Sequence, residues 1–341
     1  MPSPAGLHSS EPNFTKDSSG TIYLSWVQLE KDTSYGLYFS ELTSNKWSKP
    51  IQIIKGNNWF INWADFPTMS AYGQHSLAAH ILVAQETGKY AYDIHLITSG
   101  DKGKSWSKNS IIPHLDSTPT EHGFLSLLPY KDQLLAMWLD GRNYFLKAAG
   151  DSVPTQKMSL RSVFLGPNQQ LTAPMLIDSN VCSCCQTDAA IVSTGPILVY
   201  RDRSDQEIRD IAQTRLINGE WTRPQAVFED GWEIGGCPVN GPAIDAKDSL
   251  VIVAWYTEAQ QQAAVKVAFS DNAGASFQKA IPINAFEPIG RVDVVLLADG
   301  SAMISWLEQS SKDASLKLTR VFQDGRIDAP ISVLKTKSAR S

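Results

Sequence analysis

The residues with the greatest chemical reach in this chain sit in short, separate motifs. Cysteine occurs four times, three of them in Cys182-Ser183-Cys184-Cys185 and the fourth, Cys237, in Gly-Gly-Cys-Pro. Thiols grouped in this way serve as disulfide partners, as ligands for a soft ion such as copper or zinc, or as reactive thiols. His80, His114 or His122 could complete a metal set, but no HExxH-like spacing makes one from histidine alone. Three further motifs carry carboxylates: Asn-Trp-Ala-Asp65-Phe-Pro, Thr-Glu121-His122-Gly and Trp-Leu-Asp140-Gly-Arg142. Two carboxyl groups flanking one bond are what glycosidic cleavage requires, and Asp65 and Glu121 are the candidates for acid and for nucleophile or base. His122 and Asp140 would bring an imidazole and a further carboxylate to the same place. Arg142, Arg201, Arg203, Arg209 and Arg291 offer guanidinium groups that pair with a substrate carboxylate through parallel hydrogen bonds, and Asn240 an amide. Trp232, just ahead of Cys237, fits either a stacking platform for a sugar ring or a lid over the cysteines.

Positioning such a set requires a frame, and the sequence repeats one. An apolar run ending in a large aromatic recurs at Trp26, Trp138, Tyr200, Trp255 and Trp306. The spacing is about 55 residues or twice that, and His80 stands near the missing aromatic position. A second landmark keeps the same period: Trp47-Ser-Lys-Pro, Trp106-Ser-Lys, Trp221-Thr-Arg-Pro, Phe277-Gln-Lys and Ile327-Asp-Ala-Pro, with the repeat between Trp106 and Trp221 degenerate. Alternating strands with no helical stretch between them mark an all-β chain. Six four-stranded antiparallel units of this length predict one six-bladed β-propeller over residues 1–341, with blades at about 11–55, 62–113, 120–166, 185–230, 238–284 and 290–335. In such a blade the start of the innermost strand and the end of the next share a rim. That topology predicts the acids, arginines and cysteines on one rim, with the two cysteine motifs as neighbours.

The turn Ser99-Gly-Asp101-Lys-Gly103-Lys-Ser105-Trp106 has the pattern S-x-D-x-G-x-[ST]-W, and Ser270-Asp-Asn272-Ala-Gly274-Ala-Ser276-Phe277 repeats it. Glycine at the fifth position can take positive φ while the Asp or Asn side chain satisfies turn amides. With these turns the chain resembles the sialidase-like Asp-box, or BNR-repeat, proteins over nearly its whole length. It is also similar to a bacterial group labelled exo-α-sialidase. That likeness rests on NWADFP, TEHGF, WLDGR, CSCCQTDAA, YRDR, EIRDI, GCPVNGPA and GRVDV. The resemblance implies a propeller hydrolase acting on an acidic or polar glycan. In that family the Asp-boxes lie away from the active face, a Tyr beside a Glu late in the chain is the nucleophile, and three arginines bind the substrate carboxylate. Tyr256 with Glu258 stands where the Tyr–Glu pair would be. The first-blade arginine has no counterpart, because the chain has no arginine before Arg142. A glycan- or protein-binding propeller without catalysis and a cysteine-dependent metal or redox protein remain the alternatives.

Composition narrows the classes further. The net charge of −5 and the absence of a Lys/Arg-rich run argue against nucleic acid as partner. No apolar stretch approaches the roughly 18 residues of a membrane span. The N-terminal residues have neither the basic start nor the apolar core of an export signal. The expectation is therefore a periplasmic or secreted protein in mature form, or a cytoplasmic one, acting as a monomer on a glycan or other small polar ligand.

Overall fold

A computed structural model describes residues 2–88, 90–145, 156–283, 286–310 and 313–336. Its regular structure is antiparallel β with two single turns of 3-10 helix, Arg142–Tyr144 and Ala259–Gln261, among the described residues. The chain divides into two compact units at residues 179 and 180.

The first unit holds three sheets. β1 (Ser9–Lys16), β2 (Ile22–Leu29) and β3 (Tyr35–Thr43) form a meander completed by two short strands on β3, β4 (Lys46–Trp47) and β5 (Ile51–Gly56). β6 (Met69–Tyr72), β7 (Ser76–Ala84) and β8 (Tyr92–Ser99) form the second, with Ile111 bridging to Leu96 where a fourth strand would lie. β9 (His122–Tyr130), β10 (Gln133–Asp140), β11 (Ser159–Leu165) and β12 (Met175–Asp178) form the third. This sheet runs to Asp178, past the limit of 166 expected from the repeat, because the chain between β11 and β12 first bridges back through Leu171 to Leu165.

The second unit repeats the plan. β13 (Asp188–Val192), β14 (Gly195–Arg201) and β15 (Ile211–Ile217) carry the short β16 (Glu220–Trp221) and β17 (Gln225–Ala226), both paired to β15. β18 (Ala243–Lys247), β19 (Leu250–Thr257), β20 (Ala264–Ser270) and β21 (Ile281–Pro282) make the fifth sheet. β22 (Pro288–Leu296), β23 (Ala302–Ser310), β24 (Asp313–Val321) and β25 (Ile331–Thr336) make the sixth. Six four-stranded antiparallel blades, the outer strand of two of them split, are the content of a six-bladed β-propeller.

In blades one to five the second strand is covered on both faces and reads as a near-continuous apolar run, whereas β23 of blade six alternates buried with half-buried positions. Every residue of β14 is buried, as is β10 from Leu134 to Asp140. The terminal tryptophan of such a strand must satisfy its indole N–H without water. Trp138 donates to Asp140 and Trp306 to Glu308, each two residues on, and Trp255 donates to Asp230. The W-x-[DE] spacing is thus a packing device. His80 takes the aromatic place in β7: fully buried, it accepts the Thr68 N–H at Nδ1, and burial pulls it down to about 3, so it stays neutral.

The second landmark also has a physical basis. The hydroxyls of Ser48, Ser107, Thr172 and Thr222 each accept a third-strand amide, from Glu41, Thr98, Phe164 and Arg215, at 3.0 to 3.1 Å. The member missing from the sequence count is therefore Leu171-Thr172-Ala-Pro, with leucine in the aromatic place. The paired turns behave alike: Asp101 and Asn272 accept the amides of Ser105 and Ser276, and Gly103 and Gly274 sit at φ 80° and 76°. A Cβ on Gly103 would lie 2.4 Å from the Phe39 ring. Trp106 packs edge-on against that ring, joining the first two blades.

Candidate functional site

Blades two and three gather polar groups at one place. β8 starts beside the start of β9, where Tyr92 and Glu121 form a parallel bridge and Tyr92 N–H donates to Thr120 O. The Tyr92 hydroxyl lies 2.8 Å from Glu121 Oε1 and 2.8 Å from Asp65 Oδ2, and its ring stacks on Phe60 at 4.2 Å. Asp65 Oδ1 accepts the Phe124 N–H. Asp65 is 2% exposed, and burial pushes it up to about 7. One phenol proton cannot serve two carboxylates at once, so the second proton of this chain of oxygens belongs to Asp65. Burial and the two flanking carboxyl groups raise the Tyr92 phenol well above its usual range, and it stays protonated.

This arrangement corrects the expected acid pair. Asp65 is sealed behind Tyr92 and holds the backbone of β9, so it cannot present itself to a sugar. Glu121 is half-buried and is the member open to a ligand. A Tyr–Glu pair does exist, at Tyr92 and Glu121, rather than at Tyr256 and Glu258. Tyr256 is buried with its ring edge on Trp232, and Glu258 is exposed at the entry to a 3-10 turn. Sequence reading passed over Tyr92, and its signal was its place as the first residue of a third strand.

Next to this chain, His114 and His122 stack at 3.9 Å, both fully buried, with Asp93 Oδ1 at 3.3 Å from His114 Nε2 and from His122 Nδ1. Burial, then the neighbouring His122, lowers His114 to about 4. Asp140 pairs across the sheet with His122, and burial would raise its carboxyl. Arg142 outweighs that with bonds of 2.7 Å from Nε and Nη2, and Asp140 is lowered on balance. Arg142 also reaches Asp116 at 3.0 Å and donates to His114 O. Asp140 and Arg142 thus neutralise each other, and Arg142 is turned inward rather than toward a ligand.

In the second unit, Arg201 ends β14 fully buried. Its three nitrogens donate to the carbonyls of Asn240, Arg209 and Tyr256, at 3.0, 2.6 and 2.8 Å, and its guanidinium lies over the Trp232 ring. Arg201 is a strut between blades four and five and has no face for a substrate. Asn240 is likewise spent: Oδ1 accepts the Arg291 N–H, and Nδ2 donates to Pro238 O and Ile289 O. Arg291 stands at φ 56° in that contact. Trp232, 4% exposed, packs against the Arg201 guanidinium and the Tyr256 ring, its amide and that of Gly231 held by Asp210. Arg203 and Arg209 share Glu207, at 2.5 and 2.7 Å.

The cysteines meet in this unit. Cys182 Sγ lies 3.7 Å from both Cys184 Sγ and Cys185 Sγ, and Arg209 Nη1 donates to Cys182 Sγ at 3.3 Å. Cys237, on the loop before β18, is not among the thiols that lie within 4.8 Å of one another. The expected disulfides are not formed: all four thiols are free, at separations far beyond an S–S bond of about 2.05 Å. Hydrogen bonds from Cys184 and Cys185, with Arg209 beyond them, hold the Cys182 thiol well below its usual range. Burial pushes Cys185 up to about 12.

Among the described residues, three groups bring three ligand atoms within 4.8 Å of one another: Cys182, Cys184 and Cys185; Asp93, His114 and His122; and Asp116, His122 and Asp140. His80 belongs to none of them, being committed to Thr68 inside β7. No helix among the described residues is long and apolar enough to cross a membrane.

Comparison with known proteins bears on the fold. No family model and no curated protein matches the chain. Among solved structures, a Hadza microbial sialidase is similar at 12% identity with a TM-score of 0.50 over 88% of this chain, which spans 63% of that protein's length. A protein of unknown function from Dyadobacter fermentans is similar at 12% identity with a TM-score of 0.54, covering 89% of this chain and 91% of that one. The fold is that of the sialidase-like propellers. At these identities the likeness stops at the fold.

Proposed function

We propose that this chain is a glycan-active propeller, a hydrolase of polar or acidic glycans, with Glu121 as the carboxylate that meets the substrate. The observation carrying the reading is the Asp65–Tyr92–Glu121 chain, two contacts of 2.8 Å ending on the one partly exposed carboxyl group. With Asp65 protonated, the Tyr92 hydroxyl is free to donate to Glu121, which keeps that carboxyl group ionised and oriented as a base or nucleophile. Tyr92 cannot itself attack as a phenolate, since two carboxyl groups flank it. The likeness to a sialidase supports a glycan as the ligand class, while the inward-turned Arg142 and Arg201 speak against the three-arginine clamp of that family.

The test is turnover across a panel of glycosides and uronate-containing polysaccharides by wild type and Glu121→Gln. The expected result is a loss of at least about 100-fold in kcat with an unchanged Tm. Wild-type protein that binds a glycan without turning it over would replace the hydrolase with a binding module. Neither binding nor turnover across the panel would overturn the reading altogether.

A further inference from the structure

The second unit carries a site that the glycan reading does not use. Thiols destined for disulfides approach to about 2.05 Å, whereas ligands on one tetrahedral ion with metal–sulfur bonds of about 2.3 Å stand about 3.8 Å apart. Cys182 makes that edge twice, at 3.7 Å to Cys184 and at 3.7 Å to Cys185. Cys184 and Cys185 lie within 4.8 Å of each other, closing the triangle. The ligand loop is anchored from behind: Cys182 N–H donates to Arg201 O, Val181 bridges to Asp202, and Arg201 is fixed by its three carbonyls. Arg209, held by Glu207 at 2.7 Å, aims Nη1 at Cys182 Sγ from 3.3 Å. That is the outer-shell donor expected of a ligating sulfur that carries negative charge. Cys182 and Cys185 are buried while Cys184 is half-buried, which gives an ion one way in.

We propose that Cys182, Cys184 and Cys185 form a three-thiolate site for one thiophilic ion, zinc(II) or copper(I). Sulfur alone in the donor set selects such soft ions over magnesium or calcium. Each thiol releases its proton to solvent as its sulfur–metal bond forms, and neither ion changes oxidation state on binding. Arg209 is a positioning residue, offsetting the negative charge of the loaded site.

The full chain, reduced and stripped of metal, is titrated separately with zinc and with copper(I) delivered from a chelating buffer. Metal per chain and thiols open to a reagent are then counted after gel filtration. The expected result is one ion per chain in at least one arm with Cys182, Cys184 and Cys185 protected, the tighter arm naming the ion. Cys182→Ser should weaken that ion by at least about 10-fold, and Arg209→Gln by about 10-fold with stoichiometry unchanged. Cys184→Ser, at a half-buried position, gives a second ligand variant if Cys182→Ser does not fold. Reduced wild-type protein that retains neither ion would overturn the site, as would ligand variants that hold it as tightly as wild type.

Discussion

Residues 1–179 contain all six histidines of the chain and no cysteine, whereas residues 180–340 contain all four cysteines and no histidine. The two units share one blade plan yet keep their interior polar groups in different chemical states. In the first, buried groups are carboxyls, a phenol and imidazoles, so what holds them together depends on where protons sit. In the second, a buried guanidinium rests on neutral carbonyls and the clustered ligands are thiols, so at these groups oxidants or soft ions act strongly. Arg142 and Arg201 show the contrast in one residue type. Both lie at or just past the end of a second strand, but Arg142 is matched by Asp140 and Asp116 and Arg201 by three carbonyls and an indole face.

The largest effect should come from the strut. Arg201→Met leaves the carbonyls of Asn240, Arg209 and Tyr256 without their donor in a closed interior, and should cost on the order of 3 kcal/mol or more in urea unfolding. The loss should not vary between pH 5 and 8. A loss that changed strongly with pH would mean that charge pairing, and not carbonyl satisfaction, governs this unit.

Asp65 sharpens the other side. Its native pKa of about 7 lies above that of an unfolded Asp, so the folded state holds the extra proton between about pH 4 and 7. Stability from this group is therefore greatest below pH 4 and falls as pH rises to 7. Asp65→Asn keeps an acceptor for Phe124 N–H and should flatten that fall, with stability at pH 8 equal to or above wild type. Asp65→Ala loses both bonds and should cost about 2–4 kcal/mol at pH 4 and less at pH 8. Asp188 provides the control in the second unit, half-buried, also raised to about 7, with Oδ2 on the Ile244 N–H. Asp188→Asn should flatten the slope by a similar amount, since the two carboxyls do the same job of fastening one inner strand to the next. If only Asp65→Asn acts, the Tyr92 contact and not burial sets its proton.

The histidines produce an effect of opposite sign, confined to one unit. His80 at about 3 and His114 at about 4 bind protons more readily unfolded than folded, so their contribution is present above about pH 6.5 and is lost as pH falls toward 4. Hydrogen exchange at pH 5, corrected for intrinsic rate, should show faster opening in β7 and β9 than in β14 and β19. Equal opening in all four strands would remove the contrast.

How much of this could be read from sequence depends on which distances matter. The blade period, the all-β class and the paired turns are local, because an unbroken apolar run or a glycine at positive φ is specified by neighbours a few residues away. The placing of the two cysteine motifs on loops before neighbouring inner strands was legible too, since Cys185 and Cys237 stand at the same offset before Asp188 and Asn240. What sequence could not show was which way a side chain turns once it arrives. Asp65 points back to β9, Arg142 onto Asp140 and Arg201 onto carbonyls, because a buried charge must be matched by whatever the neighbouring blade exposes. Residue type alone made each of them look like a ligand contact. Tyr92, the hinge of the polar chain, was hidden for the opposite reason: a lone tyrosine opening a strand looks like core.

The last comparison concerns a residue that the repeat count overlooked. Thr172 follows a leucine rather than a tryptophan, yet its hydroxyl and amide exchange bonds with Phe164 just as Thr222 does with Arg215. If the hydroxyl clasp and not the aromatic defines the landmark, Thr172→Val and Thr222→Val should destabilise alike, by roughly 0.5–1 kcal/mol each in urea unfolding. The two losses should add, because the sites share no partner. A loss at Thr222 with none at Thr172 would assign the clasp's strength to the packing of Trp221 instead, and would make blade three the weaker copy of the plan.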